Sequence, residues 1–252
     1  MSAPPPWKTA LLTGATSGMG RGLALWLAKR GVKVYAAGRR VELLESLATE
    51  GGELIVPFKL DVSDGEATFA AVSKLDTDSG GLDLVIANAG VGEETKPKRI
   101  RWESIKQMID VNVTGATATL CGAVPGMVER GRGHLVGISS LAALVPLPMN
   151  STYCASKSFV AMFLNSLRLD VEQHGLTVTS IHPGFVKSEL TAKNKPGSMP
   201  FILETDDAVE RMGKAMLRRD AVFAFPWQLS SAIGFASAMP RPLLSAALKK
   251  LR

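Results

Sequence analysis

Apolar runs of strand length alternate with segments of helical period along almost the whole chain, and this alternation is the strongest constraint on its fold. The runs are Ala10-Leu11-Leu12, KVYAAG (33–38), ELIVPF (53–58), LDLVIANAG (82–90), HLVGISS (134–140), LTVTSIHPG (176–184) and a late AVFAF (221–225). Helix-period stretches fall between them, near 20–30, 41–50, 64–76, 101–130, 153–173 and 205–219. Strict alternation of this kind predicts a parallel sheet covered by helices on both faces. Ligand then belongs at the carboxyl ends of the strands, beside the point where strand order reverses. No internal repeat or linker of domain-separating length interrupts the pattern, so residues 1–252 are expected to form one domain. A length of 252 residues with 46% hydrophobic content is enough for the core such a domain needs.

The first run leads straight into TGATSGMG (13–20), with glycines at 14, 18 and 20 and Thr16, Ser17 and Met19 between them. A strand, a glycine turn and a helix make the layout of a nucleotide phosphate site. Glycine permits the sharp turn and a close backbone approach, and the helix start offers unpaired N–H groups and a positive dipole to an anion. The spacing differs from G-x-G-x-x-G, and an ordinary strand-to-helix connection is the alternative. About twenty residues further on, a site for NAD presents an acid to the ribose hydroxyls, whereas arginine accommodates the 2′-phosphate of NADP. Here the second run ends in AAGRR, with Gly38 where the acid is expected and Arg39 and Arg40 following. A glycine leaves room for a phosphate and guanidinium binds it bidentately. NADP(H) is therefore expected ahead of NAD(H), although both arginines also suit a solvent-facing helix start.

Lysine and arginine exceed aspartate and glutamate by 29 to 23, a formal +6. That balance suits an anionic ligand but is too mild and dispersed for nucleic acid. The densest basic run, KPKRIR (96–101), is expected to be a solvated loop and helix start. Cys121 and Cys154 are the two cysteines, so neither a disulfide framework nor a metal site is expected. MSAPPPW lacks the charged and apolar regions of a signal peptide, which makes the cytoplasm the expected compartment.

YCASK places Tyr153 and Lys157 on one face of a helix. A tyrosine holds its proton to a pKa of about 10, and a fixed ammonium nearby favours the phenolate and brings that value toward working pH. A buried Tyr beside a surface Lys is the plainer alternative. Ser140 ends its strand on the ligand side, where its hydroxyl would polarise a carbonyl or simply start a turn. Asn112 falls within an apolar arc formed by Trp102, Ile105, Ile109, Ala116 and Leu120. A buried amide needs partners. It either closes a backbone break near Gly115 or holds a water or side chain of the site.

Together these residues resemble the short-chain dehydrogenase/reductase family, in its single-domain branch of about this size. The match rests on TGATSGMG, Asp61-Val62, NAG at 88–90, Asn112, Ser140 with YCASK, and Pro183-Gly184, in that order along the chain. The resemblance implies a doubly wound Rossmann-type α/β fold of about seven parallel strands. It implies that Gly14, Thr16, Ser17, Gly18, Met19 and Gly20 shape the pyrophosphate turn, that Arg39 and Arg40 meet the ribose end, and that Asp61 and Val62 meet the adenine. Asn88, Ala89 and Gly90 would brace the central strands, and Pro183, Gly184 and Val186 would complete the cofactor site. Tyr153 would be the acid/base and, with Lys157, part of the cofactor site, Lys157 binding the nicotinamide ribose and lowering the Tyr pKa. Ser140 would hold the substrate oxygen, and Asn112 would anchor a water linking Lys157 to solvent.

The family places a substrate lid over 185–207, and here Gly197, Pro196 and Pro200 suit a mobile cover. Leu190, Met199, Phe201 and Ile202 lean toward an apolar substrate. The expected activity is NADPH-dependent carbonyl reduction with reversible alcohol oxidation. An NAD-dependent alcohol dehydrogenase and a non-catalytic dinucleotide sensor or scaffold are the alternatives. Phe159, Met162 and Phe163 form a second apolar patch on the helix that carries Tyr153, and with the resemblance this implies a homodimer or homotetramer. The tail 226–252 is apolar and then basic. Over 221–240 no charge occurs, but Pro226 and the polar Gln228, Ser230, Ser231 and Ser237 argue against a spanning helix. Leu243, Leu244, Ala247, Leu248 and Leu251 share a helical face beside Lys249, Lys250 and Arg252, which suits packing over the protein ahead of an anionic membrane surface.

Overall fold

The computed structural model describes residues 5–192, 197–240 and 242–244. Seven strands, β1 (Thr9–Thr13), β2 (Lys33–Gly38), β3 (Ile55–Lys59), β4 (Leu84–Ala87), β5 (Gly133–Ile138), β6 (Leu176–Pro183) and β7 (Val222–Phe225), form one sheet in the order β3-β2-β1-β4-β5-β6-β7. Every pairing is parallel. Strand order reverses between β1 and β4, and this is the crevice in which such sheets take ligand. All four residues of β4 are buried, as a central strand covered on both faces requires.

The helices are α1 (Gly18–Ala28), α2 (Val41–Gly51), α3 (Gly65–Asp78), α4 (Trp102–Ile109), α5 (Ala116–Cys121), α6 (Val124–Glu129), α7 (Ser151–Val171), α8 (Thr205–Arg218) and α9 (Trp227–Ser237). They close two cores, one on each side of the sheet. Leu23, Leu27, Leu44 and Met212 line one, and Val72, Leu120, Leu164 and Val171 line the other. On the first side α8 locks to α1, where Trp26 Nε1 donates to Glu210 Oε2 at 2.6 Å and Gly213 leaves room for the indole. On the second, α3 and α6 are tied by Arg130, which grips the buried Asp76 carboxylate at 2.7 and 2.8 Å.

The stretch expected as one helix over 101–130 is three helices, with a π-type turn at Asp110–Gly115 between α4 and α5. A π turn adds a residue to the repeat and rotates what precedes it. The predicted apolar arc is split accordingly. Ala116 and Leu120 are buried, whereas Trp102 is 65% exposed, and Met108 takes the inward position of α4. Among the described residues, the one helical stretch long and apolar enough to cross a membrane is Trp102–Glu129, and more than half of its apolar window is buried in the protein. A second difference is α9, a helix over part of the uncharged span that the sequence left unassigned after β7. The predicted basic amphipathic helix falls mostly on residue 241 and residues 245–252, which lie outside the described residues.

Candidate active site

The glycine turn follows β1 at the strand-order reversal. Gly14 and Gly18 hold φ of 69° and 53°, a region that L side chains rarely enter. Gly20 is required by contact instead: a Cβ there would lie 2.1 Å from Gly14 O. Asn88, just past β4, fastens the turn from the other side. Its Nδ2 donates to Thr13 O at 3.0 Å and Gly14 O at 3.2 Å, while the N–H groups of Asn88 and Ala89 both donate to Thr13 Oγ1. Ser17 precedes α1 without capping it, which leaves the first N–H groups of that helix facing the turn. Met19, in the first turn of α1, packs against the core.

The end of β2 supplies the cationic wall. Arg40 donates to Thr16 Oγ1 at 2.9 Å and Ser17 Oγ at 3.1 Å, so its guanidinium lies on the glycine turn. Arg39 turns toward Asp61, 3.8 Å away. Burial works to raise the Asp61 pKa, but hydrogen bonds from Ser63 and the charge of Arg39 outweigh it and hold the carboxyl below its usual range. Val62 is buried beside Gly115, where a Cβ would meet Val62 O at 2.4 Å. The space at Gly38 is not left for a phosphate as expected. Thr16 fills it, and a Cβ on Gly38 would come within 2.7 Å of Thr16 Cγ2.

Tyr153, Lys157, Ser140 and Asn112 meet at the carboxyl ends of β4 and β5. The first turns of α7 present Tyr153 and Lys157, and Ser139 Oγ ties β5 to α7 by donating to Lys157 O at 2.8 Å. The buried Lys157 Nζ donates to Ile138 O at 2.9 Å and lies beneath Gly90, where a Cβ would meet it at 3.3 Å. Burial lowers the Lys157 pKa to about 8. The Tyr153 phenol moves in the direction opposite to that expected from the sequence. Burial raises its pKa, and the Ser140 hydroxyl offsets part of the rise. The ammonium is aimed at Ile138 O and stands 6.0 Å from the phenol ring centroid, which leaves burial the larger influence.

Asn112 sits in the π turn with its amide fully used. Its Oδ1 accepts from Val91 N at 2.8 Å, and its Nδ2 donates to Val91 O at 2.8 Å and Ser156 Oγ at 3.0 Å. It clamps the segment following Gly90 to the helix bearing Tyr153, a partnership the sequence did not single out. His182 was also missed. It contacts Ser180 Oγ through Nε2 at 2.8 Å and Ser140 O through Nδ1 at 3.3 Å. No spacing rule marks such a histidine, because its partners come from its own strand and from the turn that follows β5.

Gly184 N donates to Phe225 O at 2.7 Å, which fixes the exit of β6 after Pro183. Val186 then pairs with Leu203, so the two ends of the expected lid are stitched together. Residues 193–196 of that segment, including Pro196, lie outside the described residues. Leu190 reaches over Gly92, where a Cβ would touch both Leu190 and the Tyr153 ring at 3.3 Å. Ser188 faces Gly18, and Glu189 accepts from Arg40 and Ser17. A separate cavity of about 440 Å³ lies against Val145, Leu147, Cys154 and Ser158, and Tyr153 does not line it.

A dinucleotide fits what this crevice offers. The glycine turn and the start of α1 suit a pyrophosphate, two arginines stand at the end of β2 beside that turn, and Lys157 has N–H groups beyond the one given to Ile138 O. The family model of short chain dehydrogenases matches residues 8–198. An uncharacterized oxidoreductase of Myxococcus xanthus is 54% identical over 249 residues, 98% of each chain. The NADP-dependent 3-hydroxy acid dehydrogenase of Salmonella typhi is 37% identical over 177 residues, 70% of this chain and 71% of that protein. A solved short-chain dehydrogenase from Sphingobium yanoikuyae, in complex with NADPH, is similar with a TM-score of 0.82 and 25% identity, covering 94% of this chain and 95% of its own.

Proposed function

The chain belongs to the short-chain dehydrogenase family, and on that premise we propose that it is an NADPH-dependent carbonyl reductase that also runs in reverse as an alcohol dehydrogenase. It is an oxidoreductase with a nicotinamide cofactor. When bound, that cofactor supplies the hydride that reaches the carbonyl carbon. Tyr153 gives its phenolic proton to the carbonyl oxygen, and Ser140 holds that oxygen by its hydroxyl. The raised Tyr153 pKa keeps the proton in place until it is needed, which suits an acid in the reductive direction. Lys157 offers its remaining N–H groups to the ribose, and its charge steadies the phenolate left after transfer. Asn112 keeps α7 and the segment after β4 in register, beside the water path that the family resemblance implies.

The observation that carries the proposal is the convergence of Tyr153, Ser140 and Lys157 beside the glycine turn. A sensor or scaffold has no need of that convergence. Support for NADPH comes from Arg40 on the turn, from the absence of an acid at position 38, and from relatives whose names carry NADP or NADPH. Leu190 over Tyr153 supports an apolar ketone or secondary alcohol. Exposed Phe159 and Met162 on α7, beside exposed Trp102 and Ile109 on the neighbouring α4, support a homodimer or homotetramer. The test is a panel of apolar ketones, secondary alcohols and 3-hydroxy acids, each assayed with both cofactors. Turnover of apolar carbonyls with NADPH is expected. A preference for NADH, or turnover of nothing in the panel, overturns the proposal.

A further inference from the structure

Glu189 lies in the segment after β6, yet its carboxylate sits on the cofactor side of the crevice. Its two oxygens accept from Arg40 at 3.1 and 3.3 Å, and Oε2 also accepts from Ser17 Oγ at 3.1 Å. The adjoining Ser188 abuts Gly18, so the chain here crosses the mouth of the pyrophosphate turn. Two oxygens on a guanidinium and a third contact to a hydroxyl at a helix start are the arrangement a phosphate would adopt in the same place. The Arg40 bonds hold the Glu189 carboxyl below its usual range, so it is charged at neutral pH.

We propose that Glu189 is an internal competitor for the 2′-phosphate of the cofactor and so sets how strongly NADPH is preferred over NADH. The inference rests on the proposal that Arg40 receives that phosphate. A phosphate approaching Arg40 must displace the Glu189 carboxylate, whereas a cofactor without it leaves the pair intact. Glu189 therefore weakens NADPH binding and spares NADH. Because it belongs to the segment that covers Tyr153, arrival of the phosphate also frees that segment from the cofactor side. The displacement is easy, since both side chains are largely exposed and such pairs are weak. Arg39 is different, because its partner Asp61 belongs to the ribose side itself and bridges to no distant segment.

Calorimetric titration of NADPH, NADH, 2′,5′-ADP and 5′-ADP into the wild-type protein, Glu189→Gln, Arg40→Ala and the double variant tests this without any turnover. Glutamine keeps the shape of an exposed side chain, so folding is not at stake. Glu189→Gln is expected to tighten NADPH and 2′,5′-ADP by roughly two- to fivefold. NADH and 5′-ADP should be unchanged, and the gain should vanish in the Arg40→Ala background. Unchanged or weaker 2′,5′-ADP binding, an equal gain for 5′-ADP, or a gain that survives loss of Arg40 would overturn the inference alone. A wild-type protein that does not favour 2′,5′-ADP over 5′-ADP overturns the cofactor proposal, and this inference with it.

Discussion

The glycine turn between β1 and β4 and the cover that follows β6 face each other across one crevice, but they are held by different means. The turn is fixed by backbone conformation and close contact: positive φ at Gly14 and Gly18, contact at Gly20, and four hydrogen bonds in which the Thr13 hydroxyl and the Asn88 amide tie the turn to the residues after β4. Among its described residues the cover is joined by the pairing of Val186 with Leu203, by local hydrogen bonds such as Thr191 Oγ1 to Val186 O, and by exposed ion pairs, Lys187 with Glu204 and Arg40 with Glu189. The same contrast separates two arginines. Arg130 grips a buried carboxylate and stays; Arg40 grips an exposed one and can exchange it. On the proposed function, a rigid phosphate seat with a loosely fastened cover would let the cofactor find a fixed site while the substrate side adjusts.

Gly20→Ala attacks the rigid side where it is tightest. Its new methyl would meet Gly14 O at 2.1 Å, so the turn or α1 must move. We expect a loss of about 3 kcal/mol in stability and at least roughly a hundredfold in cofactor affinity. Denaturant melts and titration measure both, and near-normal binding would show that the turn is as adaptable as the cover.

A smaller, graded effect is expected at Lys157. Its pKa in the folded protein, about 8, lies below the ordinary lysine value of 10.5 because the side chain is buried. Between those values the unfolded chain holds the extra proton, so the contribution of this group to stability rises with pH across that window. Cofactor affinity should move the other way and weaken several-fold as pH rises through about 8, because the charge offered to the ribose is lost. Affinity that stays flat from pH 7 to 9.5 would remove Lys157 from the ribose.

The smallest effect belongs to the cover. Glu204→Gln releases Lys187 from an exposed pair, and we expect a stability change of no more than about 0.5 kcal/mol. A larger loss in the melt would show that the cover is a structural part of the fold.

The same division explains what could be read from the sequence. Strands and glycines are local signals, and Ala10-Leu11-Leu12 at the centre of β1, Gly14 and Gly18 were legible because period and backbone conformation depend on near neighbours. The break at Asp110–Gly115 was legible only as one reading of the buried Asn112 near Gly115, since VNVT is as regular in pattern as the residues around it and the partners of Asn112, Val91 and Ser156, are distant in sequence. Tyr153 and Lys157 were found by spacing, but the direction of the Tyr153 pKa was not, because burial is a property of the packed site. Glu189 stayed hidden for the same reason. Its partner Arg40 is 149 residues away, and nothing local distinguishes it from any solvated glutamate.

In the proposed reaction Tyr153 transfers a proton and does nothing else that matters to binding. Tyr153→Phe removes only the hydroxyl, and the measurement that tests it is NADPH affinity alongside kcat on the best substrate of the panel. Affinity is expected within about twofold of the wild type, with kcat reduced by roughly a hundred- to ten-thousandfold. Substantial turnover by Tyr153→Phe, with the cofactor bound normally, would contradict it.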